Sequence, residues 1–514
     1  MKRHTAACLL LTAAIPVSNA TAQASGHLPL GPSGLSERVS STTPASGVTL
    51  THIVRGQSSP QDGYEVEVPF DTDRSSVQAS DTALIAAGFS PRVIGIQPPK
   101  DTPPGFFGAI IRLGVFPTQA QANSMVTELA RKGFTSISTN YTGFDGFQTT
   151  TGPWVVNIVD VDPAAFHGTV VPVRSAVSEG RETTSSIARR TDALVAVNGG
   201  YFVIGSTDGT PGAPVGLSAI EGDLYHEATE GRSSLGFLPD GESLIDKYRT
   251  ETYVLSETDL LEQVFGLNRR PGIQRDCGGP TEELPSNHPR QDFDCTLRDD
   301  LVLFTPAFGP TTDSGPASVE AVLDADDRVI SVTKGGDIAI PPHGSVLAAL
   351  GAKATWLSAH AKPGLSLFVP RGVFTSFGQY LPPSLKFNIV NAGPHLVQKG
   401  RLDIDATAEG FAYAQPGGGD EYYGFGLSRN PRTLAGRTKS GHLLLVTVDG
   451  RQPGYSVGVS FDESARLMQS LGCEQATNLD GGGSTTIAVD GKLFNHPSDT
   501  AGERAVGEAI VVKP

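Results

Sequence analysis

The sequence predicts an α/β fold (α+β, strand-rich), with a large mixed-sheet domain at about 165–514 preceded by a small βαββαβ domain at about 62–160. Three observations predict this class. The chain has 60 Gly and 37 Pro among its 514 residues, which favours turn-rich β structure over long helices. Turn pairs such as Asp240-Gly241 and Asp490-Gly491 separate alternating apolar runs, as in β-hairpins. Strand–helix–strand units occur twice in succession near the N-terminus.

The length and charge of the chain limit its class. At 514 residues it is too long for one ordinary core, so we expect two or three domains. Its 38% hydrophobic and 18% charged residues are typical of a globular protein. A formal net charge of −15 disfavours non-specific binding to nucleic acid or to an anionic membrane. An anionic substrate would therefore need local Arg or Lys side chains.

The N-terminal segment has the composition of an export signal. A basic start precedes an apolar run from Ala6 to Val17, and small residues follow up to Ala24. The run is too short to span a bilayer, so we expect a signal peptide at 1–24 and no membrane span. Residues 25–61 are rich in Ser, Thr, Gly and Pro and predict a flexible leader. The mature protein is expected to be secreted or held in the cell envelope.

The small domain contains a well-specified helix. A strand at 110–116 leads into a helix at 119–132, for which Thr118 is the expected N-cap and Gly133 the stop. This stretch resembles the SPOR family, whose members bind peptidoglycan glycan strands. The resemblance implies peptidoglycan binding through residues 62–160, and a structural βαββαβ module without a ligand is the alternative.

Two glycine-rich loops stand out in the large domain. Helices at 183–191 and 462–471 each precede a strand that ends in such a loop, the first after Asn198. The second loop places Asp480 before three glycines and three hydroxyl side chains. Glycines let backbone N–H groups approach a ligand closely, whereas a simple tight turn needs fewer special residues. Asp480 therefore marks the expected centre of an active site.

Five segments resemble, in order, the signatures of the phosphodiester glycosidase family. They lie between residues 195 and 512 and read VAVNGGYF, NAGPHLVQKG, LLLVTVDGRQPG, ATNLDGGGSTTIAVDGKLFNHPSD and GERAVGEAIVV. The family includes an uncovering enzyme, which removes N-acetylglucosamine from a sugar 1-phosphodiester on mannose. The resemblance implies an exported hydrolase that releases a sugar from a sugar-1-phosphodiester or a related envelope glycan. Residues at about 245–385 carry no motif of the family.

Candidate catalytic residues lie in these segments. Glycoside cleavage needs an acid for the leaving group and a second carboxylate as nucleophile or base. The candidates are Asp480, Asp449, Glu503 and His496. Asp480 ranks first because the glycines open access to it. Asp449 and Glu503 have an alternative role as ion-pair partners of neighbouring arginines, and His496 has a structural alternative.

Candidate substrate-binding residues combine two chemistries. Arginine side chains suit a phosphate in bidentate fashion, while amides, hydroxyls and bare N–H groups suit sugar hydroxyls or an anion. These residues are Asn198, Gly199, Gly200, Arg432, Arg451, Asn478, Gly481, Gly482, Gly483, Ser484, Thr485 and Arg504.

The cysteines predict one disulfide. Export to an oxidising compartment would pair Cys277 with Cys295, and Cys473 is expected to be a buried apolar residue rather than a nucleophile. The chain has no His-x-x-x-His pair and no Cys cluster, so no cofactor is expected. Asp480 with neighbouring carbonyls could still hold a divalent cation.

Two further functions fit the same residues, in addition to the hydrolase of sugar-phosphate substrates. One is a glycosidase that acts on a phosphate-free extracellular polysaccharide. The other is a non-catalytic protein that binds cell-wall glycan, in which the glycine loops only contact carbohydrate.

Overall fold

The structure is a computed structural model that describes residues 27–176, 180–256, 261–277, 289–413 and 421–514. The predicted signal peptide at 1–24 lies outside these residues. No helix in the described ranges is long and apolar enough to cross a membrane. The predicted strand-rich α+β class is confirmed, because the described residues form many short strands in mostly antiparallel sheets and few helices.

The N-terminal third alternates strands with two helices. The elements are β1 (Glu37–Ala45), β2 (Val48–Arg55), β3 (Tyr64–Asp71), α1 (Arg74–Ala86), β4 (Pro91–Ile96), β5 (Gly108–Phe116), α2 (Gln119–Arg131), β6 (Ser138–Tyr141) and β7 (Trp154–Val161).

The middle of the chain is almost entirely strand. Its elements are β8 (Thr169–Arg174), β9 (Glu182–Thr183), α3 (Thr184–Arg190), β10 (Val195–Asn198), β11 (Ser218–Ile220), β12 (Asp223–His226), β13 (Ser234–Phe237), β14 (Ser243–Asp246), β15 (Arg249–Ser256), β16 (Leu261–Gln263), β17 (Gly266–Leu267), β18 (Ile273–Arg275), β19 (Asp294–Thr296), β20 (Leu301–Phe304), β21 (Val319–Leu323), β22 (Val329–Lys334), β23 (Ser345–Ala349), α4 (Gly351–His360), β24 (Leu367–Phe368), β25 (Arg371–Phe374) and β26 (Tyr380–Leu381).

The C-terminal part completes the main sheets. Its elements are β27 (Asn388–Asn391), β28 (His395–Gln398), β29 (Arg401–Leu402), a π-helix (Tyr422–Leu427), β30 (Arg432–Thr438), β31 (Leu443–Val448), α5 (Phe461–Ser470), β32 (Cys473–Asn478), a 3₁₀ turn (Gly482–Ser484), β33 (Ile487–Val489), β34 (Lys492–Leu493), β35 (Ala505–Val506) and β36 (Glu508–Lys513).

The centre of the molecule is an eight-stranded antiparallel sheet in the order β1-β2-β7-β31-β30-β32-β28-β29. One face packs against two five-stranded sheets, β34-β33-β10-β36-β8 and β12-β11-β27-β13-β14, through buried side chains such as Val159, Val197, Leu235 and Leu445. Helix α5 covers the other face and begins at Ser460, which forms a capping box with Glu463. Strands β10 and β32 belong to different sheets, and the polar loops that follow them meet.

The unassigned segment at about 245–385 adds further β structure. Its strands form the sheet β17-β20-β23-β21-β22 and a second sheet around β15. With α4 they enclose a separate core that includes Leu301, Leu347 and Leu357. Cys277 and Cys295 in this segment form the predicted disulfide, and Cys473 is buried as expected.

Strands β3 to β6 and helices α1 and α2 form the predicted βαββαβ arrangement, which we call the N-terminal module (residues 64–141). Its sheet has the order β4-β5-β3-β6. Both helices pack on one face of this sheet, in a core that includes Val66 and Ile111 of the strands and Leu129 of α2. Helix α2 begins after Thr118, whose hydroxyl accepts a hydrogen bond from the Gln121 N–H.

The flexible leader predicted at 25–61 is wrong for most of its length. Residues of β1 and β2 form a hairpin at the edge of the eight-stranded sheet, and β2 pairs with β7. The buried Arg55 side chain fixes this hairpin, because its Nε donates to the Leu30 carbonyl at 2.7 Å and its guanidinium pairs with Glu37 at 3.1 Å. The Ser and Thr residues of this segment lie largely in the edge strand β1, where polar side chains face solvent.

The boundary predicted at residue 160 for the small domain is also wrong. Strand β7 does not belong to the N-terminal module but lies between β2 and β31 in the eight-stranded sheet. Its residues are buried on both faces from Trp154 to Val159. An apolar strand that follows a βαββαβ pattern gives no local sign of which sheet it joins.

Candidate active site

A cavity of about 550 Å³ opens where the two glycine-rich loops meet. Asp480 and the glycines that follow it form one side, together with Arg451 and Arg504. Tyr201, from the loop after β10, forms part of the floor. The remaining sides come from segments far away in the chain: the N-terminal module, the segment 421–425 and the disulfide-bridged loop after β18.

Asn198 joins the two loops but does not line the cavity. It is fully buried, and its Nδ2 donates to the Asp480 carbonyl at 2.8 Å. Its Oδ1 accepts from the Thr433 hydroxyl at 2.6 Å and from the Thr486 N–H at 3.1 Å. Asn198 therefore has a structural role instead of the predicted contact with a sugar, because it holds the backbone of the loop at Asp480.

Asn478 has a similar supporting role. Its Nδ2 donates to the Tyr201 hydroxyl at 2.7 Å and to the Gly393 carbonyl at 3.1 Å, and the Tyr201 hydroxyl donates to the same carbonyl at 2.7 Å. These bonds fix the aromatic ring of Tyr201 at the cavity. Asn478 itself is fully buried and does not reach a substrate.

Asp480 lies partly exposed at the cavity surface. Its Oδ1 accepts a hydrogen bond of 2.8 Å from the Gly481 N–H. Burial raises the pKa of Asp480 to about 6, against the lowering effect of its hydrogen-bond donors and of the Arg504 guanidinium. A carboxyl group with this pKa is partly protonated near neutral pH and can act as an acid.

The three glycines are required by close packing more than by an anion nest. A Cβ on Gly483 would lie 2.1 Å from both Arg504 Nη2 and Asp499 Oδ1. Gly482 has a φ of +60° and lies under the Arg451 guanidinium. The Gly481 N–H is bound to Asp480 and the Gly482 N–H donates to the Pro431 carbonyl at 2.9 Å. The N–H groups of Gly481 and Gly482 are therefore already bound within the protein. The prediction that they bind an anion is wrong for these two of the three glycines.

Two of the three predicted arginines reach the cavity. Arg451 donates from Nε to Asn430 Oδ1 at 2.8 Å, which leaves the other end of its guanidinium facing the cavity. Arg504 forms a bidentate pair with Asp499 at 2.8 and 3.0 Å. These two cations lie on the same side of the cavity as Asp480.

Arg432 does not reach the cavity, contrary to the prediction. It is fully buried against the rings of Phe425 and Phe461, each with its centroid 4.5 Å from the guanidinium. Burial lowers the pKa of Arg432 to about 9. Its role is to support the cavity from behind through cation–π contacts.

Three predicted catalytic residues lie outside the cavity. Asp449 is buried and accepts hydrogen bonds from Tyr455, Asn495 and the backbone of His496. Glu503 accepts from the N–H and hydroxyl of Ser185, at 2.8 and 2.6 Å, near the start of α3. The ring of His496 packs edge-on against Tyr455. The carboxylates of Asp449 and Glu503 and the ring of His496 thus contact other protein groups and have structural roles.

The remaining predicted residues form the layer behind the cavity surface. A Cβ on Gly199 would lie 2.7 Å from Glu508 Cγ, and one on Gly200 would lie 2.2 Å from the Asn391 carbonyl oxygen. Ser484 and Thr485 are fully buried. These small residues let the loops pack closely, and they do not face the cavity.

Sequence reasoning missed most of the opposite wall. Glu67 and Phe70 come from the N-terminal module, Tyr423 from the π-helix, and Arg275 and Asp292 from the disulfide-bridged loop. Phe70 stacks on Tyr423 with centroids 5.2 Å apart, and the Tyr423 hydroxyl donates to Glu67 at 2.6 Å. Asp292 has a φ of +60°, a conformation that sequence patterns do not reveal.

The predicted divalent cation would depend on Asp480 and backbone carbonyls. The part of the chain that the structure describes has no group of three or more His, Cys, Asp or Glu side chains placed to hold a metal ion.

The C-terminal part of the chain is similar to known proteins. Residues 317–513, which include Arg451, Asp480 and Arg504, match the phosphodiester glycosidase family. This part of the chain is a phosphodiester glycosidase domain. Bovine N-acetylglucosamine-1-phosphodiester alpha-N-acetylglucosaminidase is 38% identical over 68 residues, and the Bacillus subtilis prophage protein YomE is 40% identical over 84 residues. The alignment with the bovine enzyme covers 13% of this chain and 12% of that protein. The alignment with YomE covers 16% of this chain and 13% of that protein.

Two solved structures resemble the whole chain. One is a Burkholderia pseudomallei K96243 protein whose name describes it as an exported protein. It is 33% identical to this chain, with a TM-score of 0.86. The match covers 95% of this chain and 99% of that one. A hypothetical protein from Synechocystis shares the fold, with 18% identity and a TM-score of 0.55 over 92% of this chain and 79% of its own.

Proposed function

We propose that this protein is an exported glycoside hydrolase that releases a sugar from a sugar-1-phosphodiester or a related envelope glycan, with Asp480 as the leading catalytic carboxylate. The observation that carries the proposal is the combination of Asp480 with Arg451 and Arg504 in one cavity. A protonatable carboxyl beside two guanidinium groups suits a phosphate linked to a sugar.

Each part has a defined task in this reaction. The arginines bind the phosphate oxygens through charge-assisted hydrogen bonds. Asp480, with its raised pKa, donates a proton to the phosphate oxygen as the bond to the sugar breaks. Tyr201 and Phe202 offer aromatic surface for the sugar ring.

The family supports the substrate class. The bovine relative's name specifies an N-acetylglucosamine-1-phosphodiester, and its alignment with this chain is short. Export is supported by the Burkholderia neighbour and by the Cys277–Cys295 disulfide, since disulfides persist in oxidising compartments.

The two arginines also weigh against the phosphate-free alternative. A neutral polysaccharide leaves a guanidinium such as that of Arg451 without an anionic partner. The non-catalytic alternative does not account for a carboxyl whose pKa is raised to about 6 inside a cavity.

Peptidoglycan binding by the N-terminal module is a separate proposal. The module's helix-free sheet face packs against Tyr423 and Leu427 through Phe70 and Ile110. Any long glycan would therefore meet the module at the cavity or on its helical side. Pelleting of the full chain with purified cell wall tests this, and no pelleting would contradict it.

The catalytic proposal is tested with Asp480→Asn on a panel of sugar-1-phosphodiesters. We expect wild-type protein to release free sugar and the variant to lose at least 100-fold in kcat. The matched control is Asp326→Asn, an exposed carboxylate in the turn after β21, which should keep full activity. Hydrolysis in ¹⁸O-labelled water should place the label on the sugar. Equal activity of the two variants would reject the assignment of Asp480.

A further inference from the structure

We infer that Asp292 is the second catalytic carboxylate of this site and acts as the base that activates water. The inference rests on the proposed function, because it assigns a role within the same hydrolysis. Asp292 lies outside the family match at 317–513, and none of the five family signatures contains it.

Asp292 and Asp480 line the same cavity from different segments. Asp480 comes from the loop after β32, whereas Asp292 lies three residues before Cys295, at the closing end of the disulfide-bridged loop. The two carboxylates are close enough for the charge of Asp292 to raise the pKa of Asp480. The cavity therefore contains the pair of acidic groups that glycoside hydrolysis requires.

The backbone at Asp292 is held in place by a buried ion pair. The Asp292 N–H donates to Asp276 Oδ1 at 2.8 Å, and the other oxygen of Asp276 pairs with the Arg232 guanidinium. Arg232 and Asp276 are both fully buried. Arg232 also donates to Gln291 Oε1 at 3.1 Å, so it positions the residue next to Asp292 as well.

The side chain at Asp292 is oriented by Arg275. The Arg275 Nη2 donates to Asp292 Oδ1 at 2.6 Å, while its Nη1 donates to Asp294 Oδ2 at 3.0 Å. Asp292 also has a φ of +60°, a left-handed conformation that Asp adopts more readily than most residues with a side chain. Hydrogen bonds to Asp276 and Arg275 therefore fix both the backbone and the side chain of Asp292 at the cavity.

The environments of the two carboxyls differ as their roles require. The Asp292 side chain is 57% exposed and is hydrogen-bonded to the Arg275 guanidinium, so solvent water reaches its carboxyl group. Asp480 is less exposed, and burial raises its pKa to about 6. The charged groups that act on Asp292 are Arg275, Asp276, Asp294 and Asp480.

The step balances as a single displacement. Asp292 accepts one proton from a water molecule as the water oxygen forms a bond to the anomeric carbon. The bond from that carbon to the phosphate oxygen breaks, and its electron pair stays on the phosphate oxygen, which receives the proton of Asp480. The products are the free sugar, with inverted configuration, and a phosphate monoester, after which the two carboxyls exchange their protons with solvent.

The test compares Asp292→Asn with Asp294→Asn on the full chain. Both carboxylates bind Arg275, but only Asp292 lines the cavity, so Asp294→Asn is the matched control. We expect Asp292→Asn to lower kcat at least 100-fold on a sugar-1-phosphodiester that the wild type cleaves. Asp294→Asn should change kcat less than threefold. Both variants should keep the wild-type melting temperature.

A second variant separates chemistry from folding. In Asp292→Ala, azide should enter the space of the carboxylate and yield a glycosyl azide, which wild type does not form. Proton NMR of the wild-type reaction should show the sugar with inverted configuration. Retained configuration, wild-type kcat in Asp292→Asn, or equal losses in Asp292→Asn and Asp294→Asn would overturn the inference.

The wild type and Asp480→Asn distinguish failure of the proposed function from failure of the role of Asp292. If wild type cleaves the panel and Asp480→Asn does not, the proposed function stands and only Asp292 is in question. If wild type releases no sugar from the panel, the proposed function is rejected, and the role of Asp292 is rejected with it.

Discussion

The side-chain amide of Asn198 donates a hydrogen bond of 2.8 Å to the backbone carbonyl of Asp480, although 282 positions separate the two residues in the chain. This bond joins the ends of β10 and β32, which belong to different sheets. The loop at Asp480 is therefore positioned by the side chain of Asn198, which is fully buried.

Asn198→Ala should destabilise the protein and misplace Asp480. The substitution removes the donor to Asp480 and leaves the Thr433 hydroxyl and the Thr486 N–H without their buried acceptor. We expect a loss of about 3 kcal/mol in the free energy of unfolding, measured by urea denaturation. Asn123→Ala on the exposed face of α2 is the control and should change stability by less than about 0.5 kcal/mol. Equal stability of the two variants would contradict this role.

Asp480→Asn should stabilise the protein at high pH. The native pKa of about 6 lies above the ordinary value of 3.8 for an Asp side chain, so the native state binds more protons than the unfolded state between these values. The contribution of Asp480 to stability is therefore present at low pH and is lost as pH rises through 6. We expect the variant to exceed wild type by about 1–2 kcal/mol at pH 8 and to match it near pH 4. Thermal melts at the two pH values check the sign.

Activity should fall as pH rises above about 6, because the proton that Asp480 donates is then lost. The descending limb of kcat against pH measures this. A rate that stays constant from pH 5 to 8 would contradict the role of Asp480 as the acid.

Arg451→Gln should weaken binding of a phosphodiester and spare a phosphate-free glycoside. One charge-assisted hydrogen bond contributes about 1.5–3 kcal/mol, so KM should rise roughly 10- to 100-fold. Arg437→Gln, which removes a surface arginine paired with Glu242, is the control. Equal increases in KM on both substrate types would show that Arg451 does not recognise phosphate.

Arg112→Ala should destabilise the contact between the N-terminal module and the rest of the chain. Arg112 is fully buried and pairs with Glu65, Glu67 and Asp145, so its removal leaves uncompensated carboxylates. We expect a loss of about 3–5 kcal/mol and lower activity even on a small substrate, since Glu67 and Phe70 line the cavity. Arg131→Ala at the exposed end of α2 is the control. Unchanged activity on small substrates would show that the module does not shape the site.

The sequence predicted an element correctly where the residues that determine it lie within a few positions of each other. The period of α2 with Thr118 as its cap, and the box of Ser460 with Glu463 at the start of α5, depend on contacts within a few residues. The same holds for Asp480, because a glycine run after a strand end is a local feature. Spacing alone predicted neither the pairing of β2 with β1 and β7 nor the burial of Arg432 against two phenylalanines.

The sequence by itself determined the strand-rich class, the family, the Cys277–Cys295 disulfide and the loop at Asp480, because each depends on residues close together or on a continuous motif. The tertiary structure decided which polar residues reach the cavity. It removed Asp449, Glu503 and His496 from it and brought in Phe70 and Asp292. The physical reason is that long-range hydrogen bonds and sheet packing orient a side chain, and these contacts join segments that carry no mark of each other in the sequence.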